Sequence, residues 1–456
     1  MDYKNFQKIL IEKALAAGFS DCEVYYKGSK HFEVMIMEGQ VSDYENSALQ
    51  GISFRGTWQG RTGYAYTEKL TEPAADYLVA AAKEHAELLS ESEWEELYHA
   101  GDAYPALEGE NKALERLTTE EKILAAKKME HAALKGEDSI VSMDYCVLDT
   151  DWMETAIANS YGLSLYHVKN SVTAYVCAIA KDGEEVKTGS HFWKGNDWKQ
   201  FDPVATGRKA AQIAASHLGA APIASGKYKV VLDGPVMANF LGVFCGVFFA
   251  ENIQKGFSML GGKVGEQIAA DCVTLRDDPL LPEGYASTPF DSEGVPCYNK
   301  AVVENGVLKT YLYNRKAARK DGVPSTGNGF KAGLTAPIKT AVTNFYLAPG
   351  QRSQEELLAD MGEGILITDI TGLHAGANTV SGDFSLSAEG FLVTEGKLGQ
   401  AVEQITVAGN FYELLKNITE AGNDLYFTSG GKGAPSVRVR EMDIAGKSKP
   451  PVERVV

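Results

Sequence analysis

The chain is 456 residues long, 44% hydrophobic and 23% charged, with a formal net charge of −17. That length supports two or three domains with cores of their own, and the acidic balance, without clustered Lys and Arg, argues against direct binding to nucleic-acid backbone. No apolar run reaches the roughly 20 residues of a membrane helix.

The N-terminal MDYKNFQKILIEKALAAGF carries charges throughout and lacks the continuous apolar core of a signal peptide. The six cysteines form no CxxC pair and no Cys/His cluster with zinc spacing. Both features point to a cytoplasmic protein with reduced thiols.

Phe6, Ile9, Leu10, Ala14 and Leu15 fall at helical spacing over residues 3–17, and Gly18 stands where such a helix would end. Five short β signals follow: CEVYYKG, HFEVMIMEG, QVSDYEN, LQGISFRG and RTGYAYTE. Turns such as Glu38–Gly39 separate them, as in an antiparallel meander. An alanine-rich helix is expected over 71–89. Residues 90–117 are acidic and irregular and read as a connection, a possible sub-boundary.

Thr118-Thr-Glu-Glu121 has the form of a capping box and opens a helix to about Lys135. More strands follow: SIVSMDYCVLDT, METAIANSYG, LSLYHVKNSVTAYVCAIAKDG and EEVKTGSHFWKG. A helix near 203–218 closes this half. The order helix, strands, helix thus occurs twice, which points to an internal structural duplication.

The boundary is placed at APIASG (221–226), dividing the chain into 1–220 and 221–456. After the strand KYKVVL comes DGPVMANFLGVFCGVFFAENIQKG, the longest apolar stretch. Asp233 suits an N-cap and Pro235 the first turn. From Val236 to Ala250 only Asn239 is strongly polar, the pattern of a buried helix with sheet on more than one side. Short glycine-punctuated strands follow, with hairpin turns expected at Asn305–Gly306 and Glu395–Gly396. Short helices are expected over 354–362 and 410–418. The fold class is α+β: a helix and antiparallel-sheet region, then a β-rich domain, a curled sheet or partial barrel, around a buried helix.

No HExxH, GxSxG, GxxxxGK[ST] or framed GxGxxG motif is present. Of the eight histidines, His85, His99, His131 and His217 belong to helix surfaces, and His31, His167 and His191 to strands or turns. His374 lies in GLHAGANTVSGDFSLSAEG with Asn378 and Asp383. That segment reads either as a tight loop with satisfied polar groups or as the lining of a peptide-binding cleft. Asn328, in the STGNG turn at 325–329, is grouped with these three as a peptide-binding candidate. Asp277, Asp278, Asp291 and Glu293 could serve acid–base chemistry or hold a cation; turn and cap roles are the simpler reading.

Many ordered segments carry a family resemblance: Gly265-Glu-Gln267, LRDDP (275–279), FDSEGVP (290–296), ENGVLK (304–309), STGNG, GLHAG (372–376), SGDFSLSAEG (381–390), ITVAGN (405–410) and MEGQVSDYENSALQGISFRG (37–56). The chain resembles the TldD/PmbA family, the so-called modulators of DNA gyrase, and within it the PmbA or TldE branch. In the TldD branch the central helix carries a zinc-binding HExxxH motif. Counting back from Lys255–Gly256, its histidine positions fall on Leu241 and Gly246 and its glutamate position on Gly242. That branch also uses a cysteine ligand near its C-terminus, whereas no cysteine follows Cys297 here.

The resemblance therefore implies no catalytic residue, metal or cofactor in this chain, with zinc only in a TldD-type partner subunit. It implies homo- or hetero-oligomers acting on small or unfolded peptides, to which this chain contributes peptide binding and chamber closure. A non-enzymatic gyrase regulator, or an independent hydrolase with an unrecognised site, are the alternatives.

Overall fold

The computed structural model describes residues 1–89, 96–282 and 284–447; the start of the acidic connection, 90–95, lies outside them. Helix α1 (Tyr3–Ala16) leads to β1 (Asp21–Met37), β2 (Gln40–Trp58), β3 (Arg61–Thr67) and α2 (Glu72–Leu88). The order recurs in α3 (Thr119–Leu134), β4 (Ile140–Asn159), β5 (Ser164–Asp182), β6 (Glu185–Gly195) and α4 (Pro203–Ser216). All six strands join one antiparallel sheet, ordered β3-β2-β1-β4-β5-β6. Two meanders therefore meet through their first strands, and the repeat in element order is also a repeat in space.

The strands are fewer and longer than the sequence pattern suggests. The first two β signals merge into β1, the next two into β2, and the pair before Tyr161 into β4. Gly28 and Gly51 do not turn the chain; they pair within the β1–β2 ladder. A Cβ on Gly28 would stand 2.7 Å from the Tyr26 hydroxyl, and one on Gly51 would stand 2.4 Å from Leu334 Cδ1. These glycines admit close neighbours, a common role for glycine inside a strand. The real turn, Glu38–Gly39, has φ of 52° and 74°, as a two-residue hairpin requires.

The helices cover one face of this sheet. Val24, Tyr26, Phe32, Val34 and Ile36 of β1 alternate inward with period two and pack in the two helix-covered cores. On the opposite face Tyr25, Ile157 and Leu163 pack against Phe290 of the second half. The capping box forms: Thr118 Oγ1 accepts from Glu121 N at 3.2 Å, and the Glu121 carboxylate accepts from Thr118 N at 2.8 Å. His217, expected on a helix surface, is instead buried and stacked on Phe391.

In the second half, strands β7 (Gly226–Leu232), 364–371, 383–394, 397–410 and 437–445 pair in sequence around a ring. The pairing of Thr406 with Ala445 closes it, so the expected partial barrel is complete. A second six-stranded sheet runs from the 300–308 hairpin to the edge strand Tyr426–Phe427. The central helix α5 (Gly234–Phe244) is wedged between the two. Its Phe240 meets Phe384 of the barrel at 4.8 Å, and Phe244 stacks on Phe411 at 4.6 Å. Each such buried ring contributes roughly 1.5–3 kcal/mol of transfer free energy.

The continuous helix expected through Ala250 is interrupted. Cys245–Phe248 tightens into a 3-10 turn, Phe249 is extended, and Ala250–Gln254 starts a new helix. Two contacts draw the chain out: Asn252 Nδ2 donates to the Gly246 carbonyl at 2.8 Å, and Leu312 exchanges backbone bonds with Phe248 and Ala250. Asp233 occupies the N-cap position but makes no side-chain cap; its carbonyl accepts from Met237 N. Burial, with Asp424 adding to it, pushes its carboxyl up to about 7. No helix among the described residues is long and apolar enough to cross a membrane.

Candidate functional site

The three motif positions lie at the C-terminal end of α5 and just past it. Leu241 is fully buried in the common core of helix, barrel and sheet. An imidazole there would sit in a core of aliphatic and aromatic groups. Gly242 faces the stem of Lys432, whose Nζ donates to the Gly430 carbonyl at 2.8 Å. Gly246 lies in the 3-10 turn, its carbonyl taken by Asn252. Cys245, between them, donates to the Gly242 carbonyl, and burial pushes its thiol up to about 11. It supplies no thiolate near neutral pH. Among the described residues no three His, Cys, Asp or Glu side chains converge as a metal site. The donor set here does not fit zinc, which needs three or four N, S or O ligands. Lys432 was not marked by any local motif; only the fold sets it against the helix.

The acidic motifs form a buried polar network. Asp277, fully buried, accepts from Lys300 Nζ at 3.1 Å, from Asn328 Nδ2 at 2.7 Å, and from the Thr343 amide and hydroxyl at 2.7 and 2.8 Å. Asn328 also donates to the Ala341 carbonyl and accepts from Thr326 Oγ1. It is 0% exposed, so Asn328, expected as a peptide-binding residue, is enclosed in this network and presents no side-chain surface to a peptide. Asp291 accepts from the amides of Glu293, Val295 and Gly329, the turn role that its Ser-Glu-Gly neighbours suggest. Glu293 accepts from the Arg315 amide. Burial raises both carboxyls, to about 6 for Asp291 and about 8 for Glu293, where the Asp291 charge adds to it.

The other three candidates lie on the surface loop. His374 is exposed on the short helix Leu373–Gly376. Asn378 Oδ1 accepts from the amides of Val380 and Ser381 at 3.0 and 3.1 Å. The Asp383 carboxylate accepts from Asn410 Nδ2 and Ser381 Oγ at 2.9 and 2.8 Å, and these bonds lower its pKa. Asn378 and Asp383 thus shape the loop, while His374 stands out from it.

Comparison with known proteins places this architecture among metallopeptidase-related chains. Models of the PmbA/TldA metallopeptidase domain 1, central domain and C-terminal domain match residues 22–86, 112–218 and 225–446. Metalloprotease PmbA of Escherichia coli O157:H7 is 28% identical over 454 residues, covering 97% of each chain. A crystal structure from Thermotoga maritima, assigned as a candidate modulator of a DNA gyrase, is 34% identical with a TM-score of 0.90, covering 97% of this chain and 100% of that one. TldE from Thermococcus kodakarensis shares the fold, with a TM-score of 0.90 at 23% identity over 97% of this chain and 100% of that one. The chain belongs to the PmbA/TldD family.

Proposed function

We propose that this chain is the PmbA/TldE-like, non-catalytic subunit of a TldD/TldE-type metallopeptidase assembly acting on small or unfolded peptides. The observation that carries the reading is the central helix, where Leu241, Gly242 and Gly246 stand at the positions that counting back from Lys255–Gly256 gives to the HExxxH motif. Zinc and the proton-transfer glutamate then reside in a TldD-type partner. This chain, in two parts divided near 220, helps to close a chamber and to hold extended peptides. Free sheet edges serve that purpose because main-chain bonds tolerate varied side chains. His374, with Asn378 and Asp383 shaping its loop, is the proposed surface contact; Asn328 acts only from within, through Asp277.

The test is zinc content and peptidase activity of the purified chain, alone and mixed with a TldD-type subunit. The expected result is no stoichiometric zinc, no activity alone, and activity in the mixture. Stoichiometric zinc with activity in the isolated chain would overturn the reading. Unchanged peptide turnover by a mixture carrying His374→Ala, Asn378→Ala and Asp383→Ala would remove the loop from it.

A further inference from the structure

A cavity of about 890 Å3 lies between the two halves of the molecule. One wall is the outer end of the first sheet, with Lys169 on β5 and Phe192 and Lys194 on β6. The opposite wall is the strand Tyr426–Phe427, together with Tyr285. Both β6 and Tyr426–Phe427 are the last strands of their sheets. Their free edges therefore border the same space, and the Phe192 and Tyr426 rings meet edge to face across it at 5.6 Å.

Two other charged groups on the sheet face beside this cavity have partners. His31 Nδ1 lies 2.8 Å from Asp151 Oδ1. Lys194 donates to the Ser429 carbonyl at 3.3 Å and stands over the Tyr285 ring at 5.3 Å. Lys169 is different. Among the described residues its ammonium makes no hydrogen bond or ion pair, and the charges that act on it, Lys194 and Lys27, are both cations. Burial, then these two neighbours, push its pKa down to about 8. A crowded ammonium that no carboxylate pairs directly can take an anionic ligand, and groups perturbed in this way concentrate at binding and catalytic sites.

The size and lining narrow the ligand. Asp151 and Glu108 share the cavity with Lys169, so a doubly charged phosphate would meet repulsion that a single carboxylate largely escapes. The aromatic wall offers apolar contact to a side chain next to that carboxylate.

We propose that this cavity binds peptides through a carboxylate seated on Lys169, with an adjacent apolar side chain against Phe192, Tyr426 and Phe427. The peptide nature of the ligand rests on the functional reading above; recognition of the carboxylate rests on the cavity itself. An acidic side chain and a C-terminal carboxylate present the same chemistry.

Calorimetric titration of the full chain tests this with three N-acetylated peptides: Ala-Leu-Phe as the free acid, Ala-Leu-Phe amide, and Ala-Glu-Phe amide. At least one carboxylate-bearing peptide is expected to bind ten-fold or more tightly than the neutral amide, and the stronger of the two names the source. Lys169→Met is expected to reduce that peptide to the level of the neutral amide. It removes an unpaired charge, so its Tm should not fall; Lys181→Met, outside the cavity, should leave binding unchanged. Equal binding of all three peptides, no binding of any, or unaltered binding by Lys169→Met would overturn the proposal. The mixing experiment reads the subunit assignment separately. Lys169-dependent binding without activity in the mixture would end that assignment alone, and activity without Lys169-dependent binding would end this proposal alone.

Discussion

The stem of Lys432 lies over Gly242, with its Cγ 3.7 Å from where a Cβ on that glycine would stand. That is ordinary contact, so the helix accepts a side chain there. Gly242→Ala is expected to raise stability by up to ~1 kcal/mol, because glycine weakens a helix interior by about that much relative to alanine. One residue away, Leu241→His should cost roughly 3–5 kcal/mol, since it puts a flat polar ring of a different shape into a packed apolar site. Urea denaturation of the two variants measures this contrast. A small loss for Leu241→His would mean that position 241 is less committed to the core than its burial indicates.

Removing one partner from the Lys300–Asp277 pair should be far more damaging than its place in a loop-rich region suggests. Both side chains are almost fully buried, at 3% and 0% exposure. Lys300→Met leaves the Asp277 carboxylate with neutral donors only, and the expected loss is about 3–5 kcal/mol. A double-mutant cycle with Asp277→Asn, read by chemical denaturation, gives the coupling directly.

Stability should depend on pH through Glu293. Burial holds its carboxyl protonated up to about 8 in the folded chain, well above the ordinary glutamate range. Between those limits the folded state binds more protons than the unfolded one. Stability is therefore fully present at low pH and falls as pH rises through the window. Glu293→Gln keeps an acceptor for the Arg315 amide and removes the titration. Thermal melts at pH 5 and pH 8 should show a smaller decline in the variant, by on the order of 1 kcal/mol or more. Asp291 titrates lower in the same range and should leave some residual slope.

Five of the six cysteines are buried and Cys272 is exposed. Burial pushes the thiols of Cys22 and Cys146 up to about 12. A neutral alkylating reagent at pH 7.5 should modify one thiol quickly in the native protein and the rest only on unfolding. Cys272→Ser should abolish the fast phase, which mass spectrometry after timed quenching would show.

Some features were legible because their chemistry is local. The turns at Glu38–Gly39, Asn305–Gly306 and Glu395–Gly396 all adopt positive φ, which Gly and its polar neighbours announce in the sequence. The Thr118–Glu121 capping box is likewise a matter of four consecutive residues. Gly28 and Gly51 gave no sign that the strand signals around them join, because a glycine that turns the chain and one that admits a neighbour look alike until that neighbour is known. The break in the central helix depends on Leu312, far along the chain, and so left no trace in the apolar run itself. Asn328 shows the same limit: a polar residue in a glycine-rich turn suggests a surface, and only the convergence of Asp277, Thr326 and Ala341 puts it inside.

By itself the sequence determined the α+β class, the order of elements, the family, and the identity of the residues at positions 241, 242 and 246. These follow from periodicity, turn chemistry and motif spacing, which act over a few residues. Tertiary structure alone decided that two meanders join through β1 and β4, that the barrel closes, and that Lys169 faces a cavity bounded by two free sheet edges. Those outcomes depend on which distant surfaces pack together and on which charges are left without partners, and no local pattern encodes either.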